Sequence, residues 1–97
     1  MNRTGILSLL QERFPEVKKR FDVKSLALFG SAARDRMRRN SDIDLLVEFD
    51  RSTWVNYIGL KHYLEDALGR KVDLVTPKAL KPILRETVEK DLLRVTP

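Results

Sequence analysis

Two aspartates stand one residue apart in an apolar part of the sequence, in the segment DIDLLVEF. In an extended strand, residues i and i+2 share a face about 6.6 Å apart, so Asp42 and Asp44 project together while Ile43 and Leu45 project into the core. Like charges held side by side raise each other's pKa and cost stability unless a positive charge lies between them. Carboxylates without nearby His or Cys suit Mg²⁺ or Mn²⁺. Alternatively, both acids face water and pair with nearby arginines.

A third acid, Asp73, lies in another short apolar segment, KVDLVT. If the two segments form neighbouring strands, three carboxylates converge on one face of the sheet. Three carboxylates can hold two Mg²⁺ ions about 3.5–4 Å apart, the spacing used for in-line phosphoryl transfer. One ion would activate an attacking hydroxyl and the other would bind a triphosphate. The alternative for Asp73 is a solvated acid at a strand edge.

A Gly-Ser pair follows the apolar segment VKSLALF. Gly30 lets backbone N–H groups approach a ligand closely. Ser31 can cap a following helix and donate its hydroxyl to a phosphate oxygen, and a helix N-terminus attracts anions. Strand, Gly-Ser and helix start together predict a cradle for a triphosphate, although an ordinary strand-to-helix turn has the same local sequence.

Apolar residues at helical spacing predict a first helix from about Thr4 to Phe14. Pro15 then begins a second short helix, PEVKKRF, because proline is favoured at the first helical position. VKSLALF follows as the first strand, and SAARDRM is a short helix or turn. DIDLLVEF then forms the second strand.

The remainder of the chain indicates two helices around one strand. An amphipathic helix over 54–68 is stopped by Gly69, and KVDLVT forms the third strand. Pro82 begins a last helix that runs through about Leu93. This order predicts an α+β fold in which helices cover a small mixed β-sheet. The residues expected on the inner side of the last helix are Ile83, Leu84, Val88 and Leu92.

The composition limits the class of protein. The chain has 97 residues, of which 42% are hydrophobic and 34% charged, so we expect one globular domain over residues 1–97. The net charge of +5 would attract phosphates or an acidic partner. No cysteine is present, which excludes disulfides and thiolate metal sites. No segment resembles a signal peptide or a membrane span, so we expect a cytoplasmic protein without membrane contact.

Three segments together, GSAAR over 30–34, SDIDLLV over 41–47 and KVDLV over 71–75, resemble the DNA polymerase β-like nucleotidyltransferases, and among them the minimal nucleotidyltransferases. The resemblance implies that Gly30 and Ser31 hold the phosphates of a nucleotide and that Arg34 supports the loop or the phosphates. It implies that Asp42 and Asp44 coordinate both metal ions. Asp73 would complete the site as a ligand and as the general base, or position the attacking hydroxyl.

The resemblance also implies an activity. Minimal nucleotidyltransferases of toxin–antitoxin pairs use ATP and Mg²⁺ to place AMP on a tyrosine hydroxyl of a HEPN ribonuclease toxin, so this chain would be the antitoxin. One position departs from the family pattern, because Asp35 stands where the family usually has glycine. Glycine eases a left-handed turn at a helix end, and aspartate tolerates that conformation better than most residues.

Other functions fit parts of the sequence. The chain could be a binding antitoxin that masks its toxin without catalysis, or a nucleotidyltransferase with another acceptor. The basic run RDRMRR is compatible with a site for triphosphate, with a partner surface or with a solvated face. An RNA-binding function ranks last, because the chain lacks the interleaved exposed aromatic residues of single-strand binders, and we expect no contact with DNA.

Overall fold

A computed structural model gives the fold over residues 2–80 and 82–96, without the side chains of residues 83, 84 and 87. Helices and short strands alternate along the chain, as the apolar patterns predict. The elements, in chain order, are α1 (Arg3–Phe21), β1 (Val23–Phe29), α2 (Gly30–Ala33), β2 (Ile43–Phe49), α3 (Trp54–Leu68), β3 (Val72–Val75), a 3₁₀ turn (Pro77–Ala79), α4 (Pro82–Asp91) and β4 (Leu93–Arg94).

The four strands form one mixed sheet in the order β3-β2-β1-β4, which confirms the predicted α+β fold. β1 pairs antiparallel with β2 and with β4, whereas β2 and β3 are parallel. Parallel neighbours require a crossover connection, and α3 supplies it between β2 and β3. The sheet therefore brings the end of β1 and the starts of β2 and β3 to the same edge, the one that is formed by the ends of the strands and not by an outer strand.

The prediction of two helices before β1 was wrong, because α1 is continuous and contains Pro15. Proline removes one backbone hydrogen bond from a helix interior and disfavours that position. Packing outweighs this cost, since the buried residues continue at helical spacing on both sides of the proline, from Leu10 and Phe14 to Val17 and Phe21. The left-handed conformation of Asp22, with φ 54°, then ends the helix.

The hydrophobic core lies between the sheet and helices α1 and α3. The helices approach closely where Gly59 meets Phe21, because an added Cβ would lie 2.9 Å from a carbon of that ring. No helix in residues 2–80 and 82–96 is long and apolar enough to cross a membrane. The largest fully buried side chains are Ile6, Leu10, Leu26, Leu28, Ile43, Leu45, Leu60, Leu64, Val17, Val23 and Val47.

Helix α3 also fixes the edge strand β3. The Tyr57 hydroxyl donates a 2.6 Å hydrogen bond to the carbonyl of Leu74, and the Glu65 carboxylate accepts one of 3.0 Å from the N–H of Val72. Trp54 stacks on Tyr57 but is 73% exposed, so it is not part of the core. The position of β3 in the sheet thus depends on side chains from its own crossover helix.

The C-terminal part differs from the sequence prediction in its last residues. Helix α4 ends at Asp91, and the chain then forms β4, a strand that the sequence did not predict. β4 pairs with the C-terminal half of β1, where Leu93 lies opposite Leu28. Val88 and Leu92 are half-buried, as expected for an inner side. Ile83 and Leu84, predicted to face inward as well, have side chains outside the described part of the structure.

Candidate active site

The register of the sheet places two of the three predicted carboxylates side by side. Asp44 and Asp73 are Cα partners in the parallel pairing of β2 with β3, and the next pair, Leu45 and Leu74, is buried on the opposite face. In-register partners on neighbouring strands share a face, so both carboxylates lie on the side of the sheet away from these leucines. Asp42 immediately precedes β2, close enough for its charge to act on Asp44. Asp42 is exposed, like Asp73, whereas Asp44 is half-buried.

The electrostatics of the site follow from this geometry. Burial, the charges of Asp73 and Asp42, and a hydrogen bond with Asp73 together raise the pKa of Asp44 to about 6, while Arg34 opposes this rise. A divalent cation would relieve the repulsion, and the donor set of carboxylate oxygens fits a hard cation such as Mg²⁺. Over residues 2–80 and 82–96, no three acidic or histidine side chains are already gathered into a complete metal site.

Gly30 lies directly against the Asp44 side chain. Phe29 is the strand partner of Asp44, and the chain turns away from the sheet at Gly30 with φ +72°, a conformation that favours glycine. A Cβ at Gly30 would lie 3.0 Å from Cγ and 3.3 Å from Cβ of Asp44, and it would collide with the carboxylate oxygen Oδ2. Both the backbone conformation and the close approach therefore require glycine at this position.

Ser31 does not cap the helix that follows β1, contrary to the sequence prediction. Helix α2 begins at Gly30 and its N-cap residue is Phe29, so Ser31 lies within the first helical turn. The reason is that the chain turns one residue earlier, at the left-handed Gly30. Ser31 remains next to Gly30, half-buried at the same edge of the sheet.

Asp35 occupies the left-handed position that the family pattern assigns to glycine. Its φ is 58°, and the N–H groups of Asp35 and Arg36 donate to the carbonyls of Ala32 (3.1 Å) and Ser31 (2.8 Å). These two bonds form a Schellman motif, in which glycine is the commonest residue at the left-handed position. The conformation suggested by the sequence is thus present, with aspartate in place of glycine.

Two further contacts fix this turn to the start of α1. The Asp35 carboxylate accepts a 3.0 Å hydrogen bond from the backbone N–H of Arg3, and the Arg3 guanidinium donates to the carbonyl of Ala33 at 3.3 Å. An aspartate side chain near a helix N-terminus satisfies an N–H that has no partner within the helix. Asp35 therefore has a function in this chain that glycine could not perform.

Arg34 lies between Ala33 and Asp35, the two residues that contact Arg3. Its side chain lies beside an open cleft of about 380 Å³. Arg34, Asp73 and Asp91 form its polar wall together with the backbone of Gly30, and Val75 and Leu80 belong to its apolar lining. Ligand pockets combine a mostly apolar lining with a few polar groups, at volumes of about 300–1,000 Å³. The cleft thus has a suitable size and composition for a nucleotide.

Sequence reasoning missed two residues at this edge of the sheet. Asp91, the last residue of α4, pairs with Arg34 at 2.9 Å. Arg70 holds the loop before β2 by donating to the carbonyls of Arg38 (3.3 Å) and Arg39 (2.6 Å). Neither residue belongs to a recognisable motif, and only the three-dimensional contacts reveal their positions. Arg36, Arg38 and Arg39 themselves are exposed.

Comparison with known proteins gives the family of the chain. The nucleotidyltransferase domain family matches residues 10–95. The chain belongs to this family. Protein adenylyltransferase MntA of Thermococcus cleftensis is 36% identical over 91 residues, which cover 93% of this chain and 92% of that protein.

Two solved structures place this nucleotidyltransferase within its family. A structure described as "Structure of putative minimal nucleotidyltransferase" has a TM-score of 0.80 and 35% identity, covering 96% of this chain and 95% of that one. A mutant of the toxin–antitoxin pair MntA-HpeT contains a chain with a TM-score of 0.67 and 25% identity, covering 98% of this chain and 73% of that one. The resemblance to minimal nucleotidyltransferases and the predicted fold are thereby confirmed.

Proposed function

We propose that residues 1–97 form a single nucleotidyltransferase domain that transfers AMP from ATP to a tyrosine hydroxyl of a HEPN ribonuclease toxin and so acts as its antitoxin. The observation that carries the proposal is the in-register pair of Asp44 and Asp73 beside Gly30. The name of the Thermococcus relative and the toxin–antitoxin complex of the structural neighbour support it. Because the reaction consumes ATP, we place the protein in the cytoplasm.

The metal ions expected for this chemistry would be held by Asp42, Asp44 and Asp73. When bound, two Mg²⁺ ions, or Mn²⁺ in their place, would neutralise charge on the triphosphate and favour ionisation of the attacking hydroxyl. The pKa of Asp44 is raised by burial and by repulsion from Asp73 and Asp42, and the repulsion supports this assignment. Side chains at exposed positions, such as Asp42 and Asp73, can complete the site by rotation.

The chain's own residues would bind and orient the reactants. Gly30 gives the phosphates access to backbone N–H groups, with the Ser31 hydroxyl as a second donor. The Arg34 guanidinium would contact the phosphates from the polar wall of the cleft. The tyrosine oxygen attacks the α-phosphorus, the bond to the β-phosphate oxygen breaks, Asp73 takes the hydroxyl proton, and pyrophosphate leaves. Positioning and charge stabilisation dominate such reactions.

A second function, neutralisation by binding alone, has support from one surface feature. Trp54 and Val55, at the start of α3, are 73% and 77% exposed. Large exposed apolar side chains that lie together often mark protein contacts. An antitoxin that covers its toxin through this surface would not need catalysis, and the two functions can occur in one protein.

Label transfer tests the proposal. ATP labelled at the α-phosphate is incubated with Mg²⁺, the protein and a candidate HEPN toxin. We expect label on the toxin, and we expect the Asp42→Asn/Asp44→Asn variant to reduce transfer by a factor of at least about 10³, because charge stabilisation is lost. Asp66→Asn, an exposed acid on α3, is the control and should transfer label normally.

Each result of this experiment has a definite meaning. Transfer that persists in the double variant would refute the catalytic assignment. If no label is transferred although the toxin is still inhibited, the protein is a binding antitoxin. Label on another acceptor would retain the chemistry but replace the proposed substrate.

A further inference from the structure

Helix α4 reaches the polar wall of the cleft through one side chain. The Asp91 carboxylate accepts a 2.9 Å hydrogen bond from Nη1 of Arg34, and this contact is the one ion pair within residues 2–80 and 82–96. The two side chains are 27% and 46% exposed, respectively, and both line the cleft together with Gly30 and Asp73. The pair therefore lies beside the proposed nucleotide site and not on a remote surface.

The backbone of Arg34 is held separately from its side chain. The residue before it accepts a hydrogen bond from the Arg3 guanidinium at its carbonyl, and the residue after it, Asp35, accepts one from the Arg3 N–H. The Schellman motif closes the same turn. These contacts fix where the Arg34 side chain begins but not where its guanidinium points.

We infer that Asp91 is a positioning residue that orients the Arg34 guanidinium for the phosphates of the nucleotide. A free arginine side chain has many rotamers and loses this freedom when it binds a ligand. A carboxylate that already engages one nitrogen of the guanidinium reduces this loss and leaves other N–H donors free for phosphate oxygens. The inference rests on the proposed function, since it assigns Arg34 to nucleotide binding.

Loss of the partly exposed ion pair between Asp91 and Arg34 should weaken nucleotide binding more than it lowers the stability of the fold. Ion pairs at a protein surface stabilise the fold little. Pre-ordering a side chain that contacts a ligand acts directly on affinity, and we expect a change in Kd of about fivefold to tenfold when the pairing is lost. Helix α4 thereby contributes to the nucleotide site through Asp91.

The test measures nucleotide binding without the toxin, by titration calorimetry with the α,β-methylene analogue of ATP and Mg²⁺. We expect Asp91→Asn to raise Kd about fivefold to tenfold and Asp91→Glu to stay within about twofold of the original protein. Glu89→Gln makes the same change of charge at an exposed position of α4 and should leave Kd unaltered. Thermal unfolding of each variant checks that the fold is retained.

Double substitution distinguishes positioning from a general effect of charge. If Asp91 acts through Arg34, Asp91→Asn adds nothing to the loss caused by Arg34→Ala. An unchanged Kd for Asp91→Asn would overturn the inference, and a lower Kd would show that Asp91 competes with the phosphates for Arg34. If the original protein binds no nucleotide, the proposed function fails and the inference with it, whereas binding that is insensitive to Asp91 refutes the inference alone.

Discussion

Replacing Asp44 by asparagine should stabilise the protein while removing its proposed activity. The half-buried carboxylate has its pKa raised from 3.8 to about 6 by burial and by the charges of Asp73 and Asp42. The folded protein therefore binds this proton more tightly than the unfolded chain does. Protonation of Asp44 therefore stabilises the folded state, fully below about pH 4, and this stabilisation is lost as the pH rises through about 6. At higher pH the ionised side chain destabilises the fold.

The expected size follows from the two pKa values. At about 1.4 kcal/mol per pKa unit, the difference between 3.8 and about 6 sets an upper limit of about 3 kcal/mol above pH 6. Because Asp44 is partly exposed, solvent screening reduces this value, and we expect the free energy of unfolding of Asp44→Asn to exceed that of the original protein by about 1–1.5 kcal/mol at pH 8. Near pH 4 the two proteins should have nearly equal stability.

Urea unfolding followed by circular dichroism, with EDTA present, measures this difference between pH 4 and pH 8. Asp66→Asn is the control, because it removes the same charge from an exposed position on α3. In separate samples with Mg²⁺ in place of EDTA, the free energy of unfolding of the original protein should rise, whereas that of Asp44→Asn should not. Equal stability of the two proteins at pH 8, or a difference that does not decrease toward pH 4, would refute the electrostatic reasoning.

Substitutions at Gly30, Asp35 and Pro15 test the local structure by urea or thermal unfolding. Gly30→Ala should cost about 2–3 kcal/mol, since it adds a collision with Asp44 to the strain of a positive φ, whereas Gly69→Ala, with φ +67° and open space around it, should cost less; equal costs would contradict the close approach. Asp35→Ala should cost about 1–2 kcal/mol and Asp35→Gly less, because glycine keeps the turn but loses the acceptor for α1; a stabilising glycine would contradict the capping contact. Pro15→Ala should stabilise the continuous helix by about 1–2 kcal/mol, and a loss of stability would refute this.

The sequence predicted the elements that local patterns determine. The strand β1 and the helix α3 have the bounds that their apolar spacing indicated, and Gly69 ends α3 in a left-handed conformation. The sequence predicted that Asp44 and Asp73 lie together only on the condition that their two segments form neighbouring strands. No local signal indicates which strands are neighbours. The resemblance to a family supplied that information.

Contacts distant in sequence account for what the sequence did not reveal. Local rules break α1 at Pro15, but burial of Val17 and Phe21 against the rest of the core keeps the helix continuous. β4 has two residues and exists because β1 offers a free edge for pairing. The partnership of Asp91 with Arg34 joins residues 57 positions apart, a separation that no periodicity indicates.

The topology of the sheet explains why the carboxylates of Asp44 and Asp73 lie close enough to destabilise the fold. A parallel pairing with α3 as the crossover, in this register, puts the side chains at positions 44 and 73 on one face. Tyr57 and Glu65 hold β3 in place, so the strand cannot easily shift to separate the two charges. Conflicts between local preference and the overall fold are expected at functional sites. The repulsion at ionised Asp44 is therefore a property of the folded chain, and, apart from protonation at lower pH, a ligand that carries positive charge can stabilise this sheet without a change of sequence.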